Sequence, residues 1–213
     1  MSQSNLKSMF SNYLDKDSVF KNKDALTTGW KPDNILHRDE QIDDLASILA
    51  PALKGNDPSN VFLYGSVGTG KTLIVKHVTE ELSGVADEQN IDLNVLYIHC
   101  KMKKVADTEY RLLAKLARQL AEDVPSTGLP TDAIYNRFFN ALKEQKGVVV
   151  IALDEIDALV KKVGDEFLYN LTRINDDLEE TKVSILGISN DLNFTEYMDS
   201  RVKSSLSEEE IIF

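Results

Sequence analysis

The chain has 213 residues, 42% of them hydrophobic, with 24 basic against 35 acidic residues for a formal charge of −11, and one cysteine, Cys100. That length suffices for one sizeable core, a single cysteine excludes an intramolecular disulfide, and three scattered histidines (His37, His77, His99) offer no cluster for a structural zinc. No run is apolar enough to span a bilayer and the N-terminus carries no signal pattern, so a cytoplasmic setting is expected; so acidic a surface confines any DNA contact to a local basic patch or to a part of the protein outside these residues.

Residues 1–29 are polar and mixed, with only Leu6, Met9, Phe10 and Tyr13 at helical spacing, and read as an N-terminal arm; 30–213 read as one domain. From Arg38 onward, Ile42, Leu45, Ala46 and Leu49 share one face of a helix that Pro51 ends or kinks, with Gly55 just beyond. Residues 60–64 (NVFLY) form a short apolar run suited to a buried strand, and residues 72–82 return to helical spacing.

Between them lies GSVGTGKT, Gly65 to Thr72, which fits the phosphate-loop pattern G-x-x-x-x-G-K-[ST]. A loop that joins a strand to a helix turns several backbone N–H groups inward at the positive end of the helix dipole, where a phosphate chain is favoured. Gly68 and Gly70 allow close backbone approach, Lys71 is placed to reach the β and γ phosphates of ATP or ADP, and the Thr72 hydroxyl is the expected Mg²⁺ ligand. Gly65, Val67, Thr69 and Leu73 complete the nucleotide-binding set. The plainer alternative, a glycine-rich turn with an exposed lysine, is disfavoured by both flanks.

Gly84 is taken to follow the phosphate-loop helix, and residues 95–100 (VLYIHC) read as a second buried strand. Residues 101–120 are the most basic stretch, with Lys101, Lys103, Lys104, Arg111, Lys115 and Arg118 around a stripe of Leu112, Leu113, Leu116, Ala117 and Leu120. On composition this is a packed helix with a solvated face, and DNA contact is the sharper alternative. A loop at 124–130 precedes a helix that Thr131 should cap, carrying Ile134, Tyr135, Phe138, Phe139 and Leu142 and terminated by Gly147.

The run GVVVIAL at 147–153 is a strand covered on both faces, which implies a doubly wound α/β domain with helices on either side of the sheet. Asp154 and Glu155 follow at its C-terminal end, where open α/β sheets place their ligand groups. Asp154 is the candidate for holding Mg²⁺ and Glu155 the candidate base for an attacking water. Asp157 reads as a helix-start residue. A helix at 167–178, a fourth strand at 183–189 ending in Asn190, and the start of a fifth at 210–213 complete the reading. The Asn190 amide can hydrogen-bond both water and γ phosphate without altering the charge balance, though strands also end in Asn simply to turn.

The ordered set GSVGTGKT, VVVIALDEID, LYNLTRIN, ILGISND and RVKSSL resembles the initiator branch of the AAA+ ATPases, closest to the archaeal proteins akin to the origin recognition complex; WKPDNILHRDEQIDDLASIL upstream is similar too. The resemblance implies a five-stranded parallel sheet in the order 5-1-4-3-2, Asn190 as a sensor of the γ phosphate, and an adenine contact around Ile35 to Arg38. It also implies an arginine finger for a neighbour's nucleotide at Arg201, although some relatives have a second arginine where this chain has Ser205. The basic helix occupies the place of a DNA-contacting insertion, which sets DNA contact level with the solvated-face reading. Family members continue into a helical lid bearing a second sensor arginine and then a winged-helix DNA-binding domain, so a longer natural chain is expected; the leading reading is an initiator in which ATP sets contact with origin DNA and the replicative helicase, with assembly of copies on DNA. The competing reading is a STAND-type signalling switch that oligomerises on nucleotide exchange without touching DNA; Glu155 favours hydrolysis and the basic helix favours DNA.

Overall fold

The computed structural model describes residues 3–14, 20, 22, 23, 27, 32, 35–101, 108–125, 128–196 and 198–213. The chain divides into two compact units, Met1–Leu36 and His37–Phe213. The first contains helix α1, Gln3–Leu14, along which Leu6, Met9, Phe10 and Tyr13 recur at helical spacing.

The second unit is built on five parallel strands: β1 Val61–Tyr64, β2 Leu93–His99, β3 Gly147–Asp154, β4 Thr181–Ser189 and β5 Glu209–Ile212. Their spatial order is β2-β3-β4-β1-β5, the order that the family resemblance implies. Every residue of β3 from Val148 to Asp154 is buried. Val149, Ile151 and Leu153 join one core cluster, while Val148, Val150 and Ala152 alternate with them and are as deeply enclosed, so both faces are covered.

Helix α2, Asp39–Leu49, buries Leu45 and Leu49, whereas Ala46, assigned to the same face from spacing, is exposed. Pro51 does not stop the chain dead; it opens a 3-10 turn, Ala50–Lys54, closed by Gly55 in the left-handed region. Helix α3 runs Lys71–Gln89, so Gly84 sits inside it and the helix ends instead at Asn90, whose positive φ of 52° provides the left-handed cap.

Helix α4 covers Glu109–Gln119 only, with the Thr108 hydroxyl accepting from Arg111 N–H at its start. Lys101 therefore precedes it, and Lys103 and Lys104 lie outside the described residues. Helix α5, Thr131–Lys143, starts differently from expectation: Pro130 is the cap position and Thr131 the first helical residue, with no side-chain cap bond. Gly147 does not end α5, which closes at Glu144; it is the first residue of β3, packed so tightly against Asp92 that a Cβ would stand 2.2 Å from the Asp92 carbonyl oxygen.

Past β3 come α6, Ile156–Val163, and α7, Glu166–Thr172. The expected helix over 167–178 breaks at Arg173 into a 3-10 turn, Ile174–Asp177. Asn175 explains the break: its Oδ1 accepts from Val183 N–H at 2.7 Å and its Nδ2 donates to Val183 O at 2.8 Å, so one side-chain amide pairs the stretch of β4 that precedes its ladder with β1, which begins at Leu186. Asn60 does the same two residues on, accepting from Ile185 N–H at 2.7 Å while donating to Ser205 O at 2.9 Å. Helix α8, Ser200–Leu206, buries Val202 and Leu206 and leads into β5.

Candidate nucleotide site

The C-terminal ends of β1, β3 and β4 lie side by side, because Tyr64 is in register with Ser189 and Asp154 with Ile188. Whatever follows each strand is thereby gathered at one edge of the sheet: the glycine loop after β1, Glu155 after β3, Asn190 after β4.

The loop itself runs from Tyr64 to the start of α3 at Lys71. Gly68 and Gly70 take φ of 82° and 96°, a region L side chains rarely enter, and a Cβ on either would meet only open space, so the constraint there is conformational rather than steric. Lys71 is buried, and its Nζ donates to Gly65 O at 2.9 Å and Ser66 O at 2.8 Å and lies 3.3 Å from Thr69 Oγ1. Burial lowers its pKa from the ordinary lysine value, with Asp154 and Asp157 pulling the other way. The ammonium is thus held within the curl of the loop, while Val67 stands exposed at its tip.

Thr72 Oγ1 donates to Asp154 Oδ2 at 2.9 Å, which brings the two residues assigned to Mg²⁺ together. A second donor, the Tyr97 hydroxyl, meets the same oxygen, and the Asp154 backbone oxygen accepts from Cys100 N–H at 2.8 Å. Burial and the hydrogen bond to Asp154 push the Tyr97 hydroxyl above its ordinary pKa, so it stays a donor. Among the described residues there is no group of three or more His, Cys, Asp or Glu able to cage a metal. A hydroxyl beside one carboxylate at the mouth of a phosphate loop fits Mg²⁺, which keeps water and phosphate oxygens as most of its ligands.

Glu155 is held in the left-handed region, φ 55°, at the cap position of α6. For a residue other than glycine that costs about 1–3 kcal/mol, and such strain concentrates where a side chain must be aimed. Its Oε1 accepts from Asn190 Nδ2 at 3.2 Å and lies 3.6 Å from Lys101 Nζ; its Oε2 is buried with no hydrogen-bond partner, 4.0 Å from an equally unpartnered His99 Nδ1. A buried carboxylate oxygen left unsatisfied is costly, and functional sites are where such groups persist.

Arg201 is exposed on α8, where Nε and Nη2 donate to the two Asp199 carboxylate oxygens at 3.0 and 3.1 Å and the guanidinium lies 4.9 Å from the Tyr169 ring centre. Arg38 caps α2 and rests 5.6 Å from the Phe213 ring centre, and Phe213 closes on the loop at Gly65. Ile35 belongs to the first unit and is half-buried. Leu73 continues α3 after Thr72.

Sequence reading missed Tyr97, His99 and Lys101. The only signal for them was position: His99 is in register with Asp154, which becomes visible once β2 and β3 are known to be neighbours.

Residues 55–193 match the family model described as AAA domain. The chain is 52% identical to the ORC1-type DNA replication protein 1 of Methanosarcina mazei over 98% of this chain and 49% of that protein. It is 50% identical to the ORC1-type DNA replication protein of Thermococcus kodakarensis over 98% of this chain and 50% of the other. Among solved structures it is similar to the Aeropyrum pernix ORC1 protein in complex with DNA, with a TM-score of 0.83 and 38% identity over 91% of this chain and 49% of that one. The chain spans about half the length of the curated relatives it matches.

Proposed function

Because the chain belongs to the AAA domain family, in its branch of archaeal ORC1-type DNA replication proteins, we propose that it is the ATP-binding and ATP-hydrolysing module of a replication initiator. The single observation that carries this reading is the meeting of Lys71, Thr72, Asp154, Glu155 and Asn190 at one edge of the sheet.

In this reading the loop backbone between Gly65 and Thr72 takes the phosphate chain, and Lys71 exchanges its bonds to Gly65 O and Ser66 O for phosphate oxygens. Thr72 and Asp154 would hold Mg²⁺, which would supply neutralisation of phosphate charge. Glu155 receives the proton of the attacking water at Oε2, the oxygen without a hydrogen bond, while Asn190 anchors Oε1. Since the same amide can reach toward a γ phosphate, a shift of Asn190 between Glu155 and phosphate would report the nucleotide state. Arg38 is assigned to the adenine side.

The remaining roles are those of the longer protein. Contact with duplex origin DNA is proposed mainly for a winged-helix domain, with α4 as a second contact through Arg111, Lys115 and Arg118; recruitment of a replicative helicase and assembly of copies on DNA complete the proposal.

The test is nucleotide binding by calorimetry and phosphate release, each with and without duplex DNA. Mg²⁺-dependent ATP binding with hydrolysis is expected; a chain that binds no adenine nucleotide overturns the reading.

A further inference from the structure

We infer that Tyr97 is a positioning residue for the metal carboxylate: its hydroxyl fixes the pose in which Asp154 meets Mg²⁺. This rests on the nucleotide-site reading above.

Asp154 is 2% exposed, so bulk water cannot stand in for a lost hydrogen bond. Tyr97 and Thr72 both donate to its Oδ2, which fixes the rotation of the carboxylate and leaves Oδ1 for a ligand. The two donors are not equivalent. A hydroxyl that ligates a metal through a lone pair keeps its proton for Asp154, but the place of Thr72 would then be set by the ion as well, whereas Tyr97 stands on β2 and is placed by the fold alone. Tyr97 is thus the donor whose hold on Asp154 does not depend on the ion. A phenol suits this task because it orients the carboxylate without bringing a charge that competes with the ion.

Tyr97 is itself held from three elements, ring and backbone together. Lys76 Nζ stands 4.5 Å from its centre, and Lys76 follows Thr72 by one turn of α3, so the same helix face supplies the metal hydroxyl and the clamp on Tyr97. Gln119 Nε2, at the end of α4, donates to Tyr97 O at 3.1 Å. The β2–β3 ladder sets Tyr97 opposite Ala152, two positions before the residue it must reach.

The experiment compares wild type with Tyr97→Phe, which removes only the hydroxyl. Each full chain is titrated with Mg²⁺ at a fixed concentration of a fluorescent ADP analogue, and analogue affinity is measured separately in EDTA. The expected result is a rise of about tenfold in the Mg²⁺ concentration at half effect, the usual cost of removing an outer-shell partner, with affinity in EDTA unchanged. An unmoved Mg²⁺ midpoint overturns the inference. So does an equal loss with and without the metal, which marks a packing role. Wild type that binds no analogue fails the site reading itself, whereas normal wild-type behaviour beside an indifferent Tyr97→Phe fails Tyr97 alone.

Discussion

Thr72 Oγ1 and Asp154 Oδ2 meet at 2.9 Å although 82 residues separate them in the chain. The loop and the third strand are therefore one site, and the lysine preceding Thr72 sits inside it with a buried ammonium whose hydrogen bonds go to loop oxygens. Replacing Lys71 by Ala removes a charge-assisted contact, and calorimetry should show adenine-nucleotide affinity falling by roughly ten- to a hundredfold. Equal affinities in the two proteins would remove Lys71 from the phosphate site.

Glu155 and Asn190 make a second linked pair. Glu155→Gln keeps an oxygen for the Asn190 amide but loses the base, so nucleotide affinity should hold while turnover drops by about 10²–10⁴-fold. Asn190→Ala frees Oε1 and should slow turnover by less, again with binding retained. Phosphate release under saturating ATP separates the two; full activity in Glu155→Gln would assign the base elsewhere.

How far the sequence revealed all this depends on how local each determinant is. The phosphate loop was legible because its geometry is set by consecutive residues: glycines at φ of 82° and 96° and a lysine opening the next helix. The sheet order followed from the family resemblance, not from any strand's own residues. Three of the differences fall where a distant partner decides. Spacing alone joined 167–178 into one helix, and nothing near Asn175 announces that its amide completes Val183. Gly147 resembled a helix terminator, yet its glycine is required by Asp92, far off in sequence. Tyr97 passed as one more aromatic in a buried strand because the carboxylate it serves lies on the neighbouring strand.

Gly147 gives a stability prediction. Its φ is 125°, and an added Cβ would stand 2.2 Å from the Asp92 carbonyl oxygen and 2.8 Å from Asp92 Cβ, backbone that cannot yield cheaply since Asp92 O also accepts from Val148 N–H. Strain and overpacking together set the cost of Gly147→Ala at about 2–4 kcal/mol. Urea unfolding should show a lower midpoint with an unchanged slope; Gly84→Ala, inside α3 with open space around it, should not destabilise and is the matched control.

If α4 contacts DNA, replacing Arg111, Lys115 and Arg118 by Gln together should weaken duplex binding across sequences alike and should flatten the salt dependence by about one unit per phosphate contact removed. Binding measured over a range of salt concentrations decides it. An unchanged slope in the triple variant returns α4 to the role of a packed helix with a solvated face.

Arg201 poses the question of where the site is completed. Transfer of the γ phosphoryl group needs charge neutralised from more than one side, and within its own chain the Arg201 guanidinium is spent on Asp199 and Tyr169 rather than on the loop. A finger serving a neighbour's nucleotide would have to leave that pairing, which is exposed and therefore weak enough to exchange. Turnover should then be slow in dilute solution and rise with protein concentration, while Arg201→Ala stays slow throughout with nucleotide affinity intact. A finger supplied in trans contributes about a thousandfold or more in rate, so the two curves should separate widely once copies associate. Mixing resolves the direction of the effect: Arg201→Ala keeps a competent loop and Lys71→Ala keeps a competent finger, so together they should recover activity that neither shows alone. Brisk turnover that ignores concentration and survives Arg201→Ala would mean that a single copy completes its own site.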